Sequence, residues 1–153
     1  MKLQDDLREF IELLNLEKVD YVVMGGHAVG FHGYPRFTGD IDLWIRPAPA
    51  NALRVVEVLK QFGFPDADTI LGVLSEPGRM LQLGAPPNRI DLLTSVSGID
   101  FDTTWGDTVP GEIDDLPVRF PSLEVLLQNK RASGRPKDLA DVDQLEKVAR
   151  QES

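Results

Sequence analysis

Gly25-Gly26-His27-Ala28-Val29-Gly30-Phe31-His32-Gly33-Tyr34-Pro35-Arg36-Phe37-Thr38-Gly39-Asp40-Ile41-Asp42-Leu43-Trp44-Ile45 is the stretch that decides the fold. Its last six residues alternate. In a strand, side chains point to opposite faces with period 2. Ile41, Leu43 and Ile45 therefore face a core, while Asp40, Asp42 and Trp44 share the other face. The two aspartate Cα atoms would lie roughly 6–7 Å apart by strand rise. Like charges that close raise each other's pKa unless a cation sits between them. A hard divalent ion with oxygen ligands meets that need. The plain alternative is an exposed strand with two solvated acids. Strands are depleted in Asp, so two acids in six residues call for a reason. Upstream, Tyr21-Val22-Val23-Met24 is a short apolar run that ends at Gly25-Gly26. Glycines at the start of a helix let backbone N–H groups approach a phosphate, although a Gly-Gly pair alone is more often a tight turn.

A third carboxylate is expected on a neighbouring strand. Asn88-Arg89-Ile90-Asp91-Leu92-Leu93 supplies it. With Ile90 and Leu92 toward the core, Asp91 faces the other side, as a site for two metal ions requires. A solvated strand aspartate is the alternative. Elsewhere, Leu3, Leu7, Phe10, Ile11 and Leu14 stand at helical spacing, so a helix is predicted over about 4–16. His27 to Gly33 reads as a short helix. Pro47 and Pro49 introduce another, with Leu53, Val56 and Leu59 on one face and Gly63 as its C-terminal cap. Residues 69–74, 80–84 and 89–94 read as strands, and Val118-Arg119-Phe120 as a further one. Ser122 caps a helix to about Ala132; Gly134 breaks it. Pro136 opens the last helix, with Leu139, Val142 and Leu145 on one face. The expectation is one α/β (α+β) domain over 1–153. Its mixed sheet holds the metal-site core in about 20–95, and helices fill about 122–150.

The length of 153 residues fits a single domain. Hydrophobic residues at 42% and charged residues at 27% argue against global disorder. The absence of cysteine excludes disulfides, thiolate metal sites and cysteine nucleophiles. The acidic N-terminus and the lack of a long apolar run lead to the expectation of a cytoplasmic protein with no membrane partner. A net charge of -9 disfavours an extended nucleic-acid surface. The charge is uneven, however. Lys130, Arg131, Arg135 and Lys137 form a basic run with no acid between them. Such a run is either a solvated helix end or the place where an anion is held. Lys130 and Lys137 are the residues that would reach a triphosphate; Lys137 and Asp141 would equally form an i, i+4 pair. Arg36 is open between a phosphate and an acid. The two histidines, His27 and His32, stand five apart with no third ligand, and read as packed or capping residues. Trp44 and Trp105 read as packing residues, with base stacking open to Trp44.

The run from Gly25 to Trp44 resembles the small bacterial proteins of the DNA polymerase β-type nucleotidyltransferase superfamily. Lys137-Asp138-Leu139-Ala140-Asp141 is similar to an element near the C-terminus of the abortive-infection-type toxins and their short relatives in that superfamily. The resemblance spans about Tyr21 to Leu145. It implies a mixed sheet flanked by helices, two Mg²⁺ (or Mn²⁺) ions on Asp40, Asp42 and Asp91, and transfer of a nucleoside monophosphate from an NTP, with ATP the expected donor. Asp91 would accept the acceptor hydroxyl's proton. Gly25, Gly26, Thr38, Lys130 and Lys137 would bind the nucleotide. Many members have Ser where Gly26 stands, so Thr38 or His27 would have to supply that hydroxyl's contact.

The expected function is thus metal-dependent nucleotidyl transfer to an acceptor hydroxyl with release of pyrophosphate. The acceptor is open among a small molecule, a protein and a tRNA end. The alternative is a non-catalytic nucleotide- or partner-binding module of a toxin–antitoxin type, with a cognate partner protein. A hydrolase using water as acceptor is a third option.

Overall fold

The computed structural model describes residues 4–35, 39–85 and 88–152. Helix α1 (Asp5–Leu16) buries Leu7, Phe10, Ile11 and Leu14, the apolar stripe that its spacing predicts. Strand β1 (Tyr21–Met24) is buried throughout. It runs directly into helix α2 (Gly25–Phe31). Strand β2 (Ile41–Ile45) follows, then helix α3 (Pro49–Phe62). Pro49 opens α3, where a missing N–H is harmless, and Gly63 closes it with φ of 122°. Phe10 meets Phe62 edge to face with ring centroids 5.0 Å apart, which docks α1 on α3.

A 3₁₀ turn (Ala67–Ile70) and helix α4 (Leu71–Ser75) precede strands β3 (Met80–Leu83) and β4 (Ile90–Leu93). The four strands form a mixed sheet in the order β1-β2-β4-β3. Only the β2–β4 pair is parallel. Helix α5 (Phe101–Trp105) leads to a hairpin of β5 (Val109–Ile113) and β6 (Leu116–Phe120), with β6 lying against β1. Helix α6 (Leu123–Ser133) starts at Ser122, whose hydroxyl accepts from Val125 N–H, and ends at Gly134 in the left-handed region. Helix α7 (Pro136–Glu152) packs on α6. Among the described residues, no helix is long and apolar enough to cross a membrane.

Three sequence expectations are corrected. Residues 69–74 are not a strand. That short apolar run closes local helical bonds instead, and Ser75 Oγ donates to the Leu71 carbonyl at 2.7 Å. Leu53 is 54% exposed; the buried stripe of α3 is Ala52, Val55, Val56, Val58 and Leu59. Leu139 is 49% exposed, because α7 turns Asp138 and Asp141 inward on that side, with Val142 and Leu145.

One polar side chain ties the ends of β1 and β2. Asn51 is buried at the start of α3. Its Oδ1 accepts from Asp20 N–H at 2.8 Å, and its Nδ2 donates to the Asp20 and Arg46 carbonyls at 3.1 Å each. Asp20 precedes β1 and Arg46 follows β2. Asn51→Ala would leave the Asp20 N–H without its partner and remove two further bonds, to the Asp20 and Arg46 carbonyls, each of which keeps one backbone donor, a loss of about 2–4 kcal/mol. Thermal melts followed by circular dichroism are expected to fall by roughly 5–15 °C. An unchanged midpoint would show that this tie is not needed.

Candidate active site

Asp42 and Asp91 are direct register partners on the parallel strands β2 and β4. Register partners project to the same face of a sheet. The row continues to Met24 on β1 and Gln82 on β3, which pair with Asp42 and Asp91 respectively. Asp91 is only 5% exposed. Burial, then the charge of Asp91 and a hydrogen bond with it, push the Asp42 carboxyl up to about 6; the cations Lys130 and Arg89 oppose the shift. At pH below that value, the two carboxylates share a proton where two negative charges would otherwise meet.

Asp40 and Arg89 lie one turn of the pleat before this pair. Arg89 N–H donates to Asp40 Oδ1 at 2.9 Å. The Arg89 guanidinium grips Asp91 with two bonds, Nε to Oδ1 at 2.8 Å and Nη2 to Oδ2 at 3.1 Å. Asp40 Oδ2 is 4.0 Å from the same Nη2. Sequence reading missed Arg89 as a site residue. The period-2 argument that places Asp91 on this face places Arg89 there too.

Gly25 is demanded twice over. Its φ of +63° is left-handed, and a Cβ there would stand 2.3 Å from Asp42 Oδ2. The backbone turn thus lies directly against the carboxylate. The opposite wall comes from α6 and α7. Gln128 Nε2 donates to Gly98 O, and Asn129 Nδ2 to Ser97 O, each at 2.9 Å, which moors α6 to the loop after β4. Lys130, 7% exposed, then points to Asp138 Oδ1 at 3.4 Å and Asp141 Oδ2 at 3.2 Å. Arg135 Nε donates to Asp138 Oδ2 at 2.7 Å. Burial alone would raise the Asp138 carboxyl. Hydrogen bonds from Arg135 and Ser133 and the charge of Lys130 outweigh that and hold it well below the usual carboxylate range.

Gly25, Asp42, Lys130 and Arg135 line one cleft of about 200 Å³ between the sheet and α6–α7. Of the residues expected from sequence, it gathers Gly25, Asp42 and Lys130, with Asp91 beside Asp42. Gly26 lines a different cavity. Lys137 is exposed and does not line the cleft; Arg135, which sequence reading did not single out, does. Asp141 faces Lys130 rather than Lys137. Thr38 and Arg36 lie outside the described residues. Trp44 is 1% exposed, edge to face with Phe101 at 5.0 Å, and so is a packing residue. His32 Nε2 is hydrogen-bonded to the Pro121 carbonyl at 2.7 Å.

The donor chemistry of the Asp42–Asp91 pair fits one hard cation: only oxygen atoms, side by side, with Asp42 destabilised in its charged form. Among the described residues, no group of three or more acids and histidines converges closely enough to hold a metal ion. The Asp40 carboxylate is bonded to the Arg89 amide, and Arg89 occupies Asp91.

No protein-family model matches this sequence, and no curated protein matches it. Solved structures do match in fold. The lincosamide antibiotic adenylyltransferase LnuA, in its lincomycin-bound crystal structure, superposes with a TM-score of 0.55 at 14% identity, over 97% of this chain and 99% of that one. An antigenic nucleotidyltransferase-like protein from Paracoccidioides brasiliensis superposes with a TM-score of 0.51 at 18% identity, over 94% of this chain and 77% of that one. At such identities the likeness is one of fold: a nucleotidyltransferase-type mixed sheet flanked by helices.

The acid pair makes stability depend on pH. The folded value of Asp42, about 6, lies above its ordinary 3.8. Its contribution is therefore present below pH ~4 and lost as pH rises through ~6. In EDTA, Asp42→Asn is expected to be more stable than the parent at pH 8 by roughly 1–3 kcal/mol, with the advantage vanishing toward pH 4. Melting curves of both proteins across pH 4–8 test this; parallel curves would contradict it.

Proposed function

We propose that this chain is a metal-dependent nucleotidyltransferase. It moves a nucleoside monophosphate from an NTP, with ATP the expected donor, to an acceptor hydroxyl and releases pyrophosphate. One observation carries the reading: the Asp42–Asp91 pair lies under the Gly25 turn, in a cleft whose far wall presents Lys130 and Arg135. The fold shared with an adenylyltransferase supports it.

Each residue then has a task. Backbone N–H groups at Gly25 and Gly26 would meet the donor's phosphates, and the sequence resemblance assigns Thr38 to the same task. Lys130 and Arg135 balance the charge of the leaving pyrophosphate, and Lys137 approaches only from outside. Asp42 and Asp91 would hold a divalent ion, Mg²⁺ or Mn²⁺, and Asp40 would join them once its bond to the Arg89 amide opens. When bound, the ion neutralises the phosphate oxygens that gain charge during transfer. Asp91, gripped by Arg89, is oriented to accept the acceptor hydroxyl's proton. Positioning and charge neutralisation supply most of the rate in such chemistry. The lincomycin-bound adenylyltransferase of the same fold favours a small molecule as the acceptor class.

One observation favours a second reading. Arg89 already compensates Asp91 and fixes Asp40, as in a binding module that keeps the fold without turnover, with a nucleotide or a cognate toxin or antitoxin as its partner. Incubation with each α-labelled NTP, Mg²⁺ and a panel of hydroxylated small molecules separates the two. Transfer predicts a labelled product and pyrophosphate, reduced at least ~100-fold in Asp42→Asn and Asp91→Asn. ATP binding by calorimetry without pyrophosphate release would replace the enzyme with the module.

A further inference from the structure

A second cavity, of about 250 Å³, lies between α2 and the β5–β6 hairpin. It shares no lining residue with the Asp42 cleft. Its walls are apolar and locked. Phe31 stacks on Phe120 with centroids 4.1 Å apart and planes 11° from parallel. Gly111 of the hairpin presses on both rings: a Cβ there would stand 2.7 Å from Phe120 and 2.8 Å from Phe31.

Two features of this cavity are unexplained by folding. His27 is 6% exposed and lines the cavity. Its ring hydrogen-bonds the Asp40 backbone, yet Nε2 is buried with no partner. The bond to Asp40 therefore runs through Nδ1–H, which donates to the carbonyl and leaves Nε2 with a bare lone pair. A buried polar atom left unpaired costs about 1–3 kcal/mol. The second feature is Gly30, also on the cavity wall. It has no positive φ, and a Cβ there would meet nothing within 4 Å. Alanine in a helix is favoured over glycine by roughly 0.5–1 kcal/mol. Neither backbone conformation nor crowding asks for glycine here; its effect is to keep the wall open.

We propose that this cavity is a second small-molecule site, taking a compound with an apolar body, a hydroxyl that donates to His27 Nε2, and no negative charge. The ring pair of Phe31 and Phe120 contacts the body. Glu112, exposed at the rim, repels anions, so a nucleotide is not the ligand. Hydroxyl donation to a buried acceptor discriminates against an analogue that lacks it, because the acceptor is then unpaired again.

The test uses three probes and no nucleotide, so it stands apart from the transfer reading above. Tyramine carries ring, hydroxyl and cation. Phenethylamine lacks the hydroxyl, and 4-hydroxyphenylacetate reverses the charge. Tyramine is expected to shift the His27 ring resonances saturably in NMR titrations of the full chain. Phenethylamine and 4-hydroxyphenylacetate are each expected to bind roughly 3–10-fold more weakly. Gly30→Leu should abolish tyramine binding with melting unchanged or raised; Gly30→Ala serves if the leucine variant fails to fold, and should weaken binding. Three results would each overturn the proposal: no saturable shift at His27, equal affinity for tyramine and phenethylamine, or undiminished tyramine binding in the folded Gly30 variant.

Discussion

Two carboxylates held side by side in a buried sheet repel each other, and the surroundings of Asp42 and Asp91 answer that repulsion. β2 and β4 are parallel neighbours, so their register places the pair directly abreast. The left-handed turn at Gly25 seals one side without a side chain. Arg89 clamps Asp91 from two residues away, at the entrance to β4. Lys130 faces the pair from α6, itself steadied by Asp138 and Asp141 of α7. Even so, Asp42 remains pushed up to about 6.

The frame that maintains this arrangement lies outside the site. Asn51 joins the ends of β1 and β2 through three hydrogen bonds to backbone. Gln128 and Asn129 moor α6 to the loop after β4. A shift of either would separate Lys130 or Gly25 from the acids. The overall charge of -9 reads differently against this map. It disfavours a long nucleic-acid track, while Lys130 and Arg135 stand on the cleft wall, each paired with acids of α7.

Much of the site was legible from period 2 alone. Alternation in 40–45 separates Ile41 and Leu43 from Asp42, and the same logic at 90–92 finds Asp91. Arg89 is equally available to that logic, two residues before Asp91. What escaped depends on tertiary neighbours. Residues 69–74 form too short an apolar run for its period to distinguish strand from helix. β5 contains Pro110 and Gly111, both depleted in strands, and exists because β6 pairs with it. In the basic run, Lys130 is the cation that turns inward, against Asp138 and Asp141 of α7. Arg135 lines the cleft while remaining exposed, Lys137 does not line it, and Asp138 and Asp141 are buried beside Val142 and Leu145. Leu53 and Leu139 fit a helical face by spacing and are exposed because no element covers them.

The central claim is that the Asp42–Asp91 pair is built to receive a divalent cation. Titration of the purified chain with Mn²⁺ at pH 7.5, following the free-ion signal by electron paramagnetic resonance, tests this most directly. The account predicts saturable loss of the free signal with the parent protein, and no such loss with Asp42→Asn or Asp91→Asn. A parent protein that leaves the free signal undiminished, or variants that bind Mn²⁺ as the parent does, would contradict it.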